Sequence, residues 1–381
     1  MNLFDVYPLY PITPVSALDC IITDDKGIEY LDLYSGHGVI SIGHTQPYYV
    51  AKVKDQLDKL SFYSNAIQNP LQIELADKLG KLSGYNDYSL FLCSSGAEAN
   101  ENALKMASFH TNKARVISFH NAFHGRTSAA VATTDNPKII APINAQQVVT
   151  FLPLNDLNLV EAELKKGDVA CVIIEPIQGV GGLDQGTTPF FQGLEKICKQ
   201  YEVVLILDEV QSGFGRSGKF FAHQFHDIKP DIICMAKGMG NGFPIGGILI
   251  APHFEASFGL LGTTFGGSHL ACAASIAVLD VINEQQLMAN TSKVEAYFME
   301  AIKVIPEIIK VKGRGLMLGV EFDFDVNALR KKMIIEKHIF TGGSSNKNLL
   351  RILPPLTITT AAIDTFIVAL QESLAELKNS N

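Results

Sequence analysis

Residues 203–213, VVLILDEVQSG, and residues 229–247, KPDIICMAKGMGNGFPIGG, decide the fold. Each carries a short β-rich apolar run closed by a charged residue, Asp208 in the first and Lys237 in the second. Runs of this length between turn signals read as strands buried on both faces. The same texture extends outward as YSLFLC (88–93), RVISF (115–119) and VACVIIEP (169–176), separated by the helical patterns AEANENALKMASFHT (97–111) and FFQGLEKICKQY (190–201). Strands alternating with amphipathic helices predict an α/β fold built on a mostly parallel sheet with helices on both faces.

Both ends of the chain read differently. At the start, an arm leads into CIITDDKGIEYLDL (20–33), a hairpin turned at Asp25–Gly27, and then into helices over 48–60 and 71–82. Past Leu270, helical patterns at 271–285 and 292–305 precede a second hairpin at 311–324, a helix at 328–338, the strand LLRIL (349–353) and a terminal helix at 361–377. The expected division is an arm and part of a small α+β domain at 1–48, a large domain at 49–285, and the rest of the small domain at 286–381.

Composition removes several classes of function. Hydrophobic residues make up 47% and charged residues 18% of 381, which suits a well-buried globular protein. With 39 acids against 31 bases and a net charge of −8, no broad cationic surface is available for nucleic acid or an anionic membrane. Six cysteines (Cys20, Cys93, Cys171, Cys198, Cys234 and Cys272) lack C-x-x-C spacing, so reduced core thiols are expected and a metal site is not. The first residues have neither the basic start nor the apolar core of a secretion signal, and the expected location is the cytoplasm.

Lys237 and Asp208 point to chemistry. A lysine amine becomes a nucleophile toward aldehydes once burial or a neighbouring cation lowers its pKa. The aldehyde most often held this way is pyridoxal 5′-phosphate, which also needs an anion at its ring nitrogen and a dipolar cradle for its phosphate. Asp208, at the carboxyl end of a strand, faces the crevice where ligands bind in such sheets. Gln211 is a candidate donor to the ring hydroxyl. The segment SSGAEAN (94–100) follows a strand and opens a helix, so the N–H groups of Ser95, Gly96 and Ala97 can receive a phosphate. It also reads as an ordinary capping box. GFGRSG (213–218) matches a dinucleotide fingerprint only formally, since DEVQS separates it from the strand and KFFAHQFH is a poor helix start.

With these residues in place, the chain resembles the class III (ω-amino) aminotransferases, which share the aspartate-aminotransferase fold, and within them the acetylornithine/N-acylornithine enzymes. The resemblance rests on SSGAEANENALKMA, FHNAFHGRT, EPIQGVGG, LDEVQSGFGRSGKFFA, MAKGMGNGFPIGG, TTFGGSHLACAAS and RGLMLGVEF, in this order along the chain. It implies that Lys237 bonds to the cofactor and that Asp208 pairs with its ring nitrogen. It further implies that Phe123 stacks on the ring, Arg126 clamps the substrate α-carboxylate, and Thr264 reaches the cofactor phosphate of a neighbouring subunit in a homodimer. Arg351 matches an arginine that receives the α-carboxylate of glutamate or 2-oxoglutarate.

Two departures stand out. Ala97 replaces a common threonine at the phosphate, and Val180 replaces a glutamate that masks the C-terminal arginine in relatives. The implied reaction moves the terminal amine of an N2-acylornithine to 2-oxoglutarate in arginine biosynthesis. Free ornithine, 4-aminobutyrate and other ω-amino donors are the alternatives, ahead of a non-catalytic cofactor binder or a nucleotide-dependent oxidoreductase. Because valine leaves Arg351 uncompensated, an acidic acyl group such as succinyl is the expected preference over acetyl.

Overall fold

The apolar runs assemble into one central sheet in a computed structural model that describes residues 1–379; residues 380 and 381, the end of the expected 286–381 unit, lie outside the described residues. Across the sheet the strands are Ser89–Cys93, Gly246–Ile250, Ile232–Met235, Val204–Asp208, Val169–Ile174, Arg115–Phe119 and Val149–Leu152. The last five run parallel to one another, and Gly246–Ile250 lies antiparallel to both its neighbours.

Strand alternation sorts the side chains to two faces. Val172, Ile174, Leu205 and Leu207 pack with Phe190, Phe191 and Leu194 of the helix Thr188–Gln200. Cys171, Ile173, Val204 and Ile206 point the other way, onto Ala99, Ala103, Leu104 and Ala107 of the helix Gly96–Thr111. The period of two along each strand is what presents a greasy surface to both helix layers. All six cysteines are buried and unpaired, as their scattered spacing predicts.

Two strands of this central sheet escape the sequence reading. Val149–Leu152 is a four-residue edge strand, and Gly246–Ile250 begins with two glycines, which carry little strand signal. The second case has a packing reason: a Cβ on Gly246 would sit 2.5 Å from the Ser95 carbonyl oxygen, so backbone meets backbone there.

The terminal segments build two smaller sheets. Pro14–Leu18, Ile21–Asp24 and Glu29–Asp32 form a meander whose predicted turn holds, with Asp24 Oδ1 accepting from the N–H groups of Lys26 and Ile28. Ile339–Phe340 adds to Glu29–Asp32 in parallel, so late chain pairs with early chain. Lys310–Arg314, Met317–Glu321 and Leu349–Ile352 form the third sheet.

The GFGRSG segment packs on this hairpin. Arg216 is buried, and its guanidinium donates to the carbonyls of Leu316, Pro354 and Ile40. Gly315 makes the close approach possible, since a Cβ there would lie 2.5 Å from the Ser217 carbonyl carbon.

Candidate active site

The carboxyl ends of the parallel strands open into a cavity of about 390 Å³. Ser95, Gly96, Ala97, Phe123, Arg126, Val180, Asp208, Gln211 and Lys237 all line it. Residues from five separate stretches of chain therefore converge where the topology of an open α/β sheet places ligands. Arg351 stands behind the wall carrying Gly179 and Val180. Thr264 does not meet this cavity; it is exposed on a loop elsewhere.

Lys237 follows the strand Ile232–Met235 by two residues, and its backbone takes a left-handed φ of 44°. A non-glycine residue in that region is strained, and such strain gathers at functional sites. Desolvation lowers the lysine pKa; Asp208 and Glu175 oppose that shift, and Arg351 adds to it. The amine is thus biased toward the neutral, nucleophilic form.

Asp208 lies at the end of its strand and is 4% exposed, so its charge has to be satisfied locally. Oδ2 accepts from His124 Nδ1 at 2.7 Å and from Asn100 Nδ2 at 2.8 Å, and Oδ1 accepts from the Val210 N–H at 3.0 Å. Sequence reading did not single out Asn100 or His124. Both lie inside SSGAEAN and FHNAFHGRT, yet only the fold shows that these loops meet at one carboxylate.

Glu175 was also passed over. It ends the strand Val169–Ile174, accepts from the Phe123 N–H at 2.9 Å and the Gly179 N–H at 2.8 Å, and is pushed up to about 7 by burial. It ties the Phe123 loop to the Val180 loop across the cavity. A carboxylate immediately after a buried strand, as at Asp208, was the available signal.

At the predicted cradle, both readings of SSGAEAN are met at once. Ser95 Oγ accepts from the Glu98 N–H, and Glu98 Oε2 accepts from the Ser94 N–H at 2.6 Å. Capping consumes those groups and leaves the first-turn N–H groups of Gly96 and Ala97 without intrahelical partners. Bare backbone is needed here: a Cβ on Gly96 would lie 2.7 Å from Val210, and one on Gly125 would lie 2.9 Å from the Ala97 Cβ.

Gln211 donates one of its two amide hydrogens to the His37 carbonyl at 2.8 Å, which leaves the second as the donor that the sequence suggested. Its Oε1 is buried without a partner, as are Asn100 Oδ1 and His124 Nε2. Three unsatisfied polar atoms around one cavity are what a polar ligand would relieve.

Arg126 is exposed at the cavity mouth, with its guanidinium carbon 6.0 Å from the Phe123 ring centroid. Arg351, only 3% exposed, donates from Nε to Gly343 O at 2.5 Å, from Nη1 to Gly179 O at 2.8 Å, and from Nη2 to Tyr34 Oη at 2.9 Å. The expectation that Val180 leaves this cation unclaimed is therefore incomplete. Among the described residues no carboxylate pairs with it, but Tyr34 does engage it.

Sequence and structure comparisons agree with this geometry. The family model for aminotransferase class-III matches residues 6–374. The acetylornithine aminotransferase of Aquifex aeolicus (strain VF5) is 40% identical over 387 residues, covering 98% of this chain and 99% of that protein. That of Bacillus subtilis (strain 168) is 35% identical, covering 98% of each. Among solved structures, the ornithine aminotransferase from Toxoplasma gondii ME49 superposes with a TM-score of 0.91 at 26% identity, covering 98% of this chain and 93% of that one. A second structure of the Toxoplasma gondii enzyme, crystallized with oxidized glutathione, superposes with a TM-score of 0.90 at 26% identity over 98% and 92% of the two chains and carries PLP at partial occupancy in its active site.

Proposed function

The chain belongs to the class-III aminotransferases, and from that premise we propose that it transfers the δ-amino group of an N2-acylornithine to 2-oxoglutarate, giving the acylated semialdehyde and glutamate. The observation that carries this reading is the meeting of Lys237 and Asp208, from the ends of adjacent parallel strands, in one cavity. The residues present fit pyridoxal 5′-phosphate: a lysine biased toward neutrality, a fixed carboxylate, a helix N-terminus with free N–H groups, and unsatisfied polar atoms between them.

When bound, the cofactor supplies an aldehyde that takes up the amine and a ring that accepts the electron pair of the adjacent carbon. Lys237 would hold the cofactor through that aldehyde, and its free amine would carry a proton away from the substrate carbon. Asp208, held by Asn100 and His124, keeps a proton on the ring nitrogen. The N–H groups of Ser95, Gly96 and Ala97 receive the phosphate, and Phe123 covers the ring. Gln211 would meet the ring hydroxyl through its second amide hydrogen or its unpartnered Oε1.

Arg126 binds the donor α-carboxylate with its planar fork, for which lysine is a poor substitute. Arg126→Lys is expected to lower kcat/KM about 10- to 100-fold for an N2-acylornithine. Donors without an α-carboxylate, such as 1,4-diaminobutane, should be unaffected. Equal losses on both donors would remove Arg126 from this role.

Thr264 we assign to the neighbouring subunit's cofactor phosphate in a homodimer. Phe265 and Phe62, tilted against each other with ring centroids 5.5 Å apart beside that loop, are exposed together with Tyr63 and Ile67, as a subunit interface requires. The two units expected at 49–285 and at the chain ends would close over the site. No helix among the described residues is long and apolar enough to cross a membrane, and the buried unpaired thiols support a reducing, cytoplasmic location.

Initial rates with 2-oxoglutarate and N2-acetylornithine, N2-succinylornithine, free ornithine or 4-aminobutyrate test the donor. The reading requires an acylated ornithine to lead the panel. Val180 faces the cavity where relatives place a carboxylate, so Val180→Glu should cut kcat/KM for the succinyl compound about tenfold more than for the acetyl compound. A wild type that prefers acetyl would assign Val180 to packing alone.

A further inference from the structure

Arg351 poses a problem of charge. Its guanidinium is almost wholly buried, yet its three recorded partners, Gly343 O, Gly179 O and Tyr34 Oη, are all neutral. Among the described residues no carboxylate touches it, and Glu175 acts on it only through space; a buried cation so placed is costly, which suits a receptor for a carboxylate. Of the three contacts, two are fixed backbone oxygens. Only the third comes from a side chain.

The chain builds a seat for that side chain. Tyr34 packs over Arg351 with the guanidinium carbon 5.5 Å from its ring centroid. A Cβ on Gly342 would fall 2.0 Å from Tyr34 Cε2, so the glycine clears the space the ring fills. The four residues that follow all take left-handed backbone conformations, with φ of 52° at Ser35, 55° at Gly36, 71° at His37 and 71° at Gly38. Ser35 and His37 do so at the energetic cost of a side chain in that region. Asp32 Oδ1 holds the entry by accepting from the N–H groups of Tyr34 and Ser35, and Gln211 holds the far side through the His37 carbonyl.

This turn sets the His37 ring beside Tyr34, with Tyr34 Oη 2.6 Å from His37 Nδ1. Because Oη already accepts from Arg351, its own proton goes to His37 Nδ1, which requires a neutral imidazole. Burial with Arg351, Lys237 and Arg330 nearby lowers the His37 pKa and favours that form.

We propose that Tyr34, oriented by His37, is a movable neutral mask over Arg351: it occupies the guanidinium while the amino donor binds and yields its place to the α-carboxylate of the oxo acid. Tyr34 is a positioning residue that decides which carboxylate the site accepts, and it takes over the masking that Val180 cannot perform. The role rests on the aminotransferase reading given above.

Glutarate, a dicarboxylate that cannot react, isolates the effect. Calorimetric titration of the holoenzyme should show glutarate binding about tenfold more tightly to Tyr34→Phe, which keeps the ring and loses the acceptor. Butyrate affinity should stay as in wild type. His37→Asn, a substitution that tolerates the left-handed backbone, should move glutarate affinity in the same direction by less. Steady-state KM for 2-oxoglutarate should fall in Tyr34→Phe with the KM of the amino donor unchanged. Unchanged or weaker glutarate binding in a folded Tyr34→Phe overturns the mask, as does tightening that persists when Arg351→Gln is added. Glutarate binding needs no amino donor, so failure of the donor panel and failure of the mask are read separately.

Discussion

Lys237→Ala is expected to lower kcat by at least about a thousandfold while the protein folds and still binds pyridoxal 5′-phosphate. The lysine supplies both the covalent bond at rest and the moving proton, and among the described residues no other amine lines the cavity to replace it. Cofactor affinity should persist, because the Gly96–Ala97 helix terminus, Asp208 and Phe123 do not depend on the lysine. Folding should persist as well. Removing a group whose protonated form is disfavoured by desolvation relieves the native state, and alanine at φ 44° bears the same backbone strain that lysine bears now. Steady-state rates, cofactor absorbance and thermal unfolding check the three parts. Near-normal turnover without added amine would remove Lys237 from the chemistry.

Legibility in the sequence followed the range of the interactions. The buried strands 169–174, 204–208 and 232–235 are continuous apolar runs, and the helices at 96–111, 188–200 and 269–284 have the expected texture, so the core of the fold could be read locally. Gly246–Ile250 could not, because its glycines answer to the Ser95 backbone across the sheet. The same divide runs through the site. Lys237 and Asp208 are visible as charges closing apolar runs. Asn100 and His124 are not, since their role exists only where two loops converge on one carboxylate. Tyr34 and His37 are still less visible. The glycines of YSGHG permit a left-handed turn, but nothing there points to the partner, Arg351, more than three hundred residues away in sequence.

Asp208→Asn separates catalysis from architecture at the other end of the cofactor. In the native protein His124 Nδ1 and Asn100 Nδ2 both donate to Oδ2, and the Val210 N–H donates to Oδ1. An asparagine can point its oxygen at the two side chains only by turning its NH2 toward the Val210 N–H, which places two donors face to face. Reversing the amide satisfies Val210 and sets the NH2 against Asn100 and His124 instead. Either way at least one buried donor goes unsatisfied, at a stability cost of about 1–3 kcal/mol for each. The larger effect should fall on rate. A neutral amide cannot hold a proton on the ring nitrogen, the ring loses its pull on the substrate carbon, and kcat is expected to drop by about 10²–10⁴-fold. If Asp208 only capped its strand, the unfolding midpoint would fall and kcat per cofactor-loaded site would not. Measuring both on protein reconstituted with pyridoxal 5′-phosphate distinguishes these cases, and preserved kcat would reassign Asp208 to the fold.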